Sequence, residues 1–146
     1  MSLREQITVK VTEVLETIRD PRPVWVTREP FDSEKLAITQ YPAILVQTQD
    51  ENRRTTSMGV PATGRRIADI TIEIRGFVRG TELDRRRNEL IEAIEEILDA
   101  DRYLGLRSEG VMNSEVTLIE VIERQPPLAE FRMEFVVNYT YLRGST

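Results

Sequence analysis

Apolar residues spaced three and four positions apart predict two amphipathic helices in this chain. The first covers residues 3–19, and Ser2 with Glu5 three positions later has the pattern of a capping box. The second follows Gly80, with Thr81 as its expected N-cap. The two apolar stripes consist of Leu3, Ile7, Val11, Val14, Leu15 and Ile18, and of Leu83, Leu90, Ile91, Ile94, Ile97 and Leu98.

Alternating and short continuous apolar runs predict strands at residues 24–28, 42–49, 67–79, 114–124 and 128–142. Gly76 and the pair Leu118–Ile119 interrupt the alternation, and we expect a bulge at each. The second half of the last strand, Val136 to Leu142, carries more apolar side chains than a sheet with one solvated face needs. This excess favours a subunit interface there.

The segment Asp50–Arg66 fits neither a helical nor a strand period along its whole length. It contains two arginine pairs, Arg53–Arg54 and Arg65–Arg66, and its only large apolar residues are Met58 and Val60. Such a segment is either a long loop, functional or disordered, or an extended hairpin arm with its turn near Gly59. We expect its arginines to bind carboxylates of a neighbouring molecule.

Together these elements predict a single α+β domain over residues 1–146, in the order α-β-β-arm-β-α-β-β. An antiparallel or mixed sheet would carry both amphipathic helices on one face, and the arm would span residues 50–66.

Composition narrows the classes of function. The chain of 146 residues has a formal net charge of −5 and contains neither cysteine nor histidine. Disulfides, cysteine metal sites and histidine-based triads are therefore excluded. Carboxylates alone could still bind Mg²⁺ or Ca²⁺ or cleave glycosides. The absence of both residue types favours a protein that is not an enzyme and needs no cofactor or metal.

Charge and hydropathy bear on partners and location. The acidic net charge opposes non-specific DNA binding. No apolar run has the roughly 20 residues of a membrane span, and the N-terminal residues lack the pattern of a signal peptide. We therefore expect a protein made in a cytoplasm that does not enter a membrane.

Two charge clusters lie on the second predicted helix. The acidic cluster, Glu92, Glu95, Glu96 and Asp99, has no histidine to complete a metal site, so we interpret it as a solvated face. The triplet Arg85, Arg86 and Arg87 lies in the first turns, where the helix dipole disfavours cations. It is either a contact for an outside carboxylate or a solvated triplet.

Two stretches carry a family resemblance. The first is ITIEIRGFVRG at residues 70–80 with the helix that follows it to Arg102, and the second is PPLAEFRMEFVVNYTYLRG at residues 126–144. Together they resemble the tail-terminator, or tail-completion, proteins of long-tailed bacteriophages.

The resemblance implies a structural virion subunit, assembled in the host cytoplasm, that forms a ring of six. Such a ring caps the head-proximal end of the tail tube, stops its polymerisation and joins the tail to the neck and head. Its implied partners are copies of itself, the tail tube protein and a neck or head-completion protein, and DNA passes through its lumen without sequence-specific binding. The alternatives are another tail-tube or neck subunit, a small ligand-binding α+β domain or a carboxylate enzyme. The residues that we expect at subunit interfaces are Arg53, Arg54, Met58, Arg65, Arg66, Arg85, Arg86 and Arg87.

Overall fold

A computed structural model gives the structure of this chain and describes residues 2–55 and 65–142. Within these residues lie two helices and five strands. They are α1 (Leu3–Glu16), β1 (Trp25–Thr27), β2 (Ala43–Thr55), β3 (Arg65–Arg79), α2 (Leu83–Asp99), β4 (Val111–Ile122) and β5 (Leu128–Leu142).

The sheet is mixed. Its strand order is β1-β2-β3-β5-β4, in which β1 runs parallel to β2 and every other neighbouring pair is antiparallel. Two helices with a five-stranded mixed sheet confirm the predicted α+β class.

Helix α1 begins as predicted and ends earlier than predicted. The Ser2 hydroxyl oxygen accepts a hydrogen bond from the Glu5 amide at 3.2 Å. The helix stops at Glu16 rather than residue 19, because the Thr17 amide turns to the Val14 carbonyl and closes a tighter final turn. Ile18 is still buried, so the apolar stripe continues past the end of the helix.

Both helices pack on one face of the sheet, and the alternation of the strands supplies the other half of the core. The fully buried members on the sheet side come mainly from β2, β3 and β5. They include Ile44, Val46, Ile70, Ile72, Ile74, Phe131, Met133, Phe135, Val137 and Tyr139.

The opposite face carries a second, smaller apolar cluster. The segment between β1 and β2 folds over one end of this face, with Phe31 packed between Trp25 and Phe77 at centroid separations of 4.9 and 5.0 Å. The Tyr41 hydroxyl donates to the Ser33 carbonyl and fixes this segment. We refer to the rest of this face, which the helices do not cover, as the open face.

The predicted bulge at Gly76 is wrong. The β3 ladder runs through Gly76 without a register shift on either side. Instead, the ring of Phe131 lies across the glycine, so that a Cβ at residue 76 would be 2.2 Å from the Phe131 Cζ atom. The residue is small because an aromatic ring of the neighbouring strand fills the space of a side chain.

Thr81 does not cap α2 as expected. The N-cap is Glu82, which has a left-handed backbone (φ 52°, ψ 48°) and makes no side-chain capping bond. The chain reverses direction between β3 and α2 over Gly80–Glu82, and the Gly80 amide donates to the Pro127 carbonyl at 3.0 Å. This tight reversal moves the start of the helix one residue beyond the expected cap.

Bulges do occur in β4 and β2. The β4 register shifts between Val116 and Leu118, beside the predicted position, and again between Val111 and Asn113. In β2 it shifts between Thr48 and Glu51, where two residues, Gln49 and Asp50, lie opposite Thr71 of β3. The extra residue reverses which side chains face the helices along the rest of β2.

Candidate assembly surfaces

Strand β4 forms one edge of the sheet and exposes apolar side chains on both of its faces. Ile119 and Val121, opposite the core residues Met133 and Phe131, are 40% and 50% exposed on the helix side. Leu118, opposite Glu134 on the open face, is 39% exposed. An edge strand that presents both backbone hydrogen-bonding groups and apolar side chains is a typical protein contact surface.

The other edge of the sheet has a different form. Strand β1 pairs only with Ala43–Leu45 of β2. Beyond Leu45, no strand in the described part of the chain pairs with the outer side of β2. The two edges are therefore unequal, one a long apolar strand and the other a three-residue strand.

Strand β5 is not the exposed apolar surface that the sequence suggested. It lies between β3 and β4 and is hydrogen-bonded on both sides. Tyr139 and Tyr141 face the core of their own subunit, and Val136 is half-buried on the open face. The exposed apolar surface lies on the neighbouring strand, where the sequence signal was only the broken alternation at Leu118–Ile119.

Ion pairs cover the open face. Glu130, only 1% exposed, accepts from Arg75 Nε at 3.0 Å and lies 3.2 Å from Arg124 Nε. Arg132 donates to Glu73 at 2.8 Å and to Glu134 at 2.6 Å.

These pairs determine what the open face can bind. Arg75, Arg124 and Arg132 are each held by at least one carboxylate of the same chain. Such guanidinium groups have little capacity left for phosphate.

Both described ends of the arginine-rich segment are strands. The described ends of Asp50–Arg66 belong to β2 and β3, which pair as far as Thr55 opposite Arg66. Arg66 is half-buried. Met58 lies outside the described residues, and for Arg65 the structure describes only the backbone.

The alternation of β2 places Arg53 and Arg54 on opposite faces of the sheet. Arg53 turns to the helix side, where it donates to Glu51 and lies 4.6 Å above the Tyr141 ring. The hydrogen bond with Glu51 raises the pKa of the Arg53 guanidinium. Arg54 is exposed on the open face, 4.0 Å from Asp69.

Glu51 links this end of β2 to the core. Its carboxylate accepts a hydrogen bond of 2.5 Å from the hydroxyl of the fully buried Tyr139. Burial, followed by this hydrogen bond, raises the pKa of the Tyr139 phenol far above its usual value, so the hydroxyl remains a neutral donor. The Tyr141 hydroxyl is also buried and has no partner among the described residues.

These two tyrosines provide a matched test of the Glu51 contact. We expect Tyr139→Phe to lower the free energy of unfolding by about 1–3 kcal/mol, because a nearly buried carboxylate loses a donor. Tyr141→Phe should change it by less than about 0.5 kcal/mol, since its hydroxyl makes no hydrogen bond there. Urea unfolding of both variants measures the difference, and equal losses would contradict this role of Glu51.

The triplet Arg85–Arg87 is satisfied within its own chain. Arg85 donates to Glu82 and to Glu89, and the first of these bonds raises its pKa. Arg87 pairs with Asp84 at 3.0 Å.

Arg86 differs from its neighbours in the triplet. Its Nε donates to the Thr81 carbonyl at 2.6 Å, and it forms no ion pair among the described residues. Of the three, only Arg86 retains a charge that an outside carboxylate could use.

The structure does not bring the two arginine groups together. The pairs Arg53–Arg54 and Arg65–Arg66 lie where β3 begins, whereas Arg85–Arg87 follow the other end of that strand. Most of β3 separates them, which at about 3.3 Å per residue is ~40 Å. They cannot form a single binding surface on one subunit.

A cleft of about 480 Å³ lies beside the start of α2. Its apolar wall contains Ile38, Tyr41 and three prolines, and Arg79 and Arg86 lie in its lining with Glu89. Arg79, like Arg86, has no ion pair among the described residues, whereas Glu89 is bound to Arg85.

A second cleft, of about 320 Å³, is lined by carboxylates. Asp20, Glu89, Glu92 and Glu96 surround it between the end of α1 and α2. Across residues 2–55 and 65–142, no three acidic side chains are placed to hold a metal ion. In the same residues, no helix is long and apolar enough to cross a membrane.

The candidate assembly surfaces of this chain are thus an apolar edge strand, a face of paired charges and a cleft with two arginines that lack carboxylate partners among the described residues. No protein-family model matches the chain, and no curated protein matches it in sequence.

Proposed function

We propose that this chain is a structural subunit of a bacteriophage tail, a terminator that forms a ring of six. The ring would cap the head-proximal end of the tail tube, stop its polymerisation and join the tail to the neck. It would carry out no catalysis. The observation that carries the proposal is β4, an edge strand with apolar side chains exposed on both faces.

The form of the sheet edges supports a ring over a two-fold dimer. A contact between the long edge of one copy and the short edge of the next joins two different surfaces. Such head-to-tail contacts repeat around an axis and close into a ring when the rotation divides a full turn. The resemblance of residues 70–102 and 126–144 to tail terminators points to the same arrangement.

The charge distribution supports passage of DNA without binding. The chain has a net charge of −5. On the open face, Arg75 and Arg132 are held by glutamates of their own chain. A surface of this kind attracts phosphates weakly and releases few counterions, so it would let a duplex slide.

The first test is the oligomeric state of the purified chain. Light scattering at high concentration, with electron microscopy of the same sample, is expected to give closed rings with six times the mass of the chain. If only monomers appear, the sample is mixed with polymerising tail-tube subunits. Monomers that also fail to attach to tube ends would overturn the proposal.

The second test separates the terminator from the alternative of a tube or neck subunit. A terminator added in small amounts to polymerising tube protein should shorten the tubes and appear at one end of each. A tube subunit would instead build long tubes by itself, and a neck subunit would leave the tube length unchanged. Either of these two results would replace the terminator with the corresponding alternative.

A further inference from the structure

The cleft beside α2 has two features that together indicate the chemistry of its ligand. Its wall is apolar, with Ile38 69% exposed beside Tyr41. Two guanidinium groups, Arg79 and Arg86, lie in the lining, and neither has a carboxylate partner among the described residues. A ligand with an apolar side chain next to a carboxylate matches both features.

The last residues of β4 have this chemistry. Val121 is 50% exposed, and Glu123, one residue beyond the strand, is exposed without an ion pair among the described residues. Glu120 is exposed and lies 3.8 Å from Arg132, a distance too long for a strong hydrogen-bonded pair. This end of β4 therefore offers apolar surface and carboxylates that its own subunit leaves largely unused.

Register places the two surfaces at the same level of the subunit. A single row crosses all five strands and consists of Trp25, Ala43, Phe77, Glu130 and Ile122. The cleft adjoins that row at β2 through Pro42, and the end of β4 is the far end of the row.

The cleft opens where β2 and β5 begin and β3 ends, rather than along an edge of the sheet. Arg86 and Glu89 of α2 bound it on the helix side, and Tyr41, from the segment that folds over the opposite face, bounds it on the other side. Strand β1 covers the outer side of β2 at this level. A neighbour would therefore present the end of its β4 to this end of the sheet, past β1.

We propose that the cleft receives the end of β4 from a second copy of this chain, with Val121 against Ile38 and Tyr41 and Glu123 between Arg79 and Arg86. This inference rests on the proposed ring and names the residues that join its subunits. The contact is head-to-tail, because every copy carries both the cleft and the strand.

Disulfide cross-linking tests the contact directly, because the chain has no cysteine of its own. Ile38→Cys and Val121→Cys are made as two separate full-length proteins, mixed under assembly conditions and oxidised. The mixture is expected to give a covalent dimer on a non-reducing gel, and each variant alone should remain monomeric on that gel.

Charge reversal provides a second measurement. Arg86→Glu should raise the concentration needed for half-assembly by roughly tenfold or more, since a carboxylate then faces Glu123. Arg86→Glu combined with Glu123→Arg in one chain should restore assembly, because each contact again pairs opposite charges. The melting temperature of each variant shows that the subunit is still folded, and a glutamate in the first turn of α2 agrees with the helix dipole.

The outcomes distinguish this contact from the ring itself. A wild-type chain that neither assembles alone nor attaches to tube ends overturns the ring and the contact with it. Wild-type rings without a mixed cross-link, or with equal cross-linking of the single variants, overturn the contact alone. Arg86→Glu rings that form at the wild-type concentration also overturn the contact alone.

Discussion

Lysine at positions 119 and 121 is expected to prevent this chain from assembling while leaving the subunit folded. Ile119 and Val121 are the exposed apolar side chains on the helix side of β4. Burying two ammonium groups in an apolar contact is costly unless each finds a partner. Lysine on an edge strand is also a common means by which proteins prevent edge-to-edge pairing.

The expected effect is large because it is repeated at every contact of a ring. A loss of about 2 kcal/mol or more per contact weakens each one by roughly thirty-fold. The unfolding free energy should change by no more than about 0.5 kcal/mol, as for other surface positions. Light scattering across a concentration series measures the first effect, and urea unfolding measures the second.

Ala100→Lys is the control. Ala100 is exposed at the C-terminal end of α2 and belongs neither to an edge strand nor to the lining of the cleft, so lysine there should leave assembly unchanged. If the double variant of β4 still forms rings at the wild-type concentration, this edge is not the contact. If Ala100→Lys disrupts assembly equally, the effect is one of net charge rather than of β4.

Alanine at position 110 is expected to destabilise the subunit by about 3 kcal/mol or more, the largest stability loss that we predict. Gly110 has φ +120°, a conformation that L-residues rarely adopt. A Cβ there would also lie 2.5 Å from the Thr140 carbonyl oxygen, which belongs to the backbone of β5 and cannot rotate away. The Thr140 amide donates to the Gly110 carbonyl at 2.9 Å, so moving the two backbone segments apart would weaken this bond as well.

Gly105→Ala separates the cost of a positive φ from the cost of the steric clash with the Thr140 carbonyl. Gly105 also has a positive φ, +67°, but the nearest atom to its added Cβ is the Lys10 Cε at 3.6 Å, an ordinary contact. We expect it to cost about 1–2 kcal/mol, the usual penalty of the left-handed region. Urea unfolding of both variants gives the difference, and equal losses would mean that the Thr140 carbonyl does not constrain Gly110.

Local patterns in the sequence determined much of the fold. The stripe in α1, the Ser2 cap and the alternation of β5 each follow from which positions are apolar within a few residues. Strand β5 occupies Leu128–Leu142, the range predicted for it, with Phe131 and Tyr139 in the core as expected. Such features need no knowledge of the rest of the chain, because 3.6- and 2-residue periods are set by the backbone.

Tertiary structure decided which surfaces remain for partners. The apolar excess of Val136–Leu142 was visible in the sequence, but strand order places β5 inside the sheet and β4 at its edge. Strand order depends on contacts between residues far apart in the chain, which local periodicity does not encode. The same holds for Gly76, whose neighbour Phe131 lies on another strand.

The arginines best show the difference between what local sequence patterns indicate and what the packed structure adds. The sequence identified Arg53, Arg54, Arg85, Arg86 and Arg87 as charges that need partners, and composition alone could not say where those partners lie. The fold supplies carboxylates of the same chain to four of them, whereas Arg86, beside Arg79 in a cleft, has none within residues 2–55 and 65–142. Ion pairing is decided by distances of a few ångströms between side chains, and those distances exist only once helix and sheet have packed.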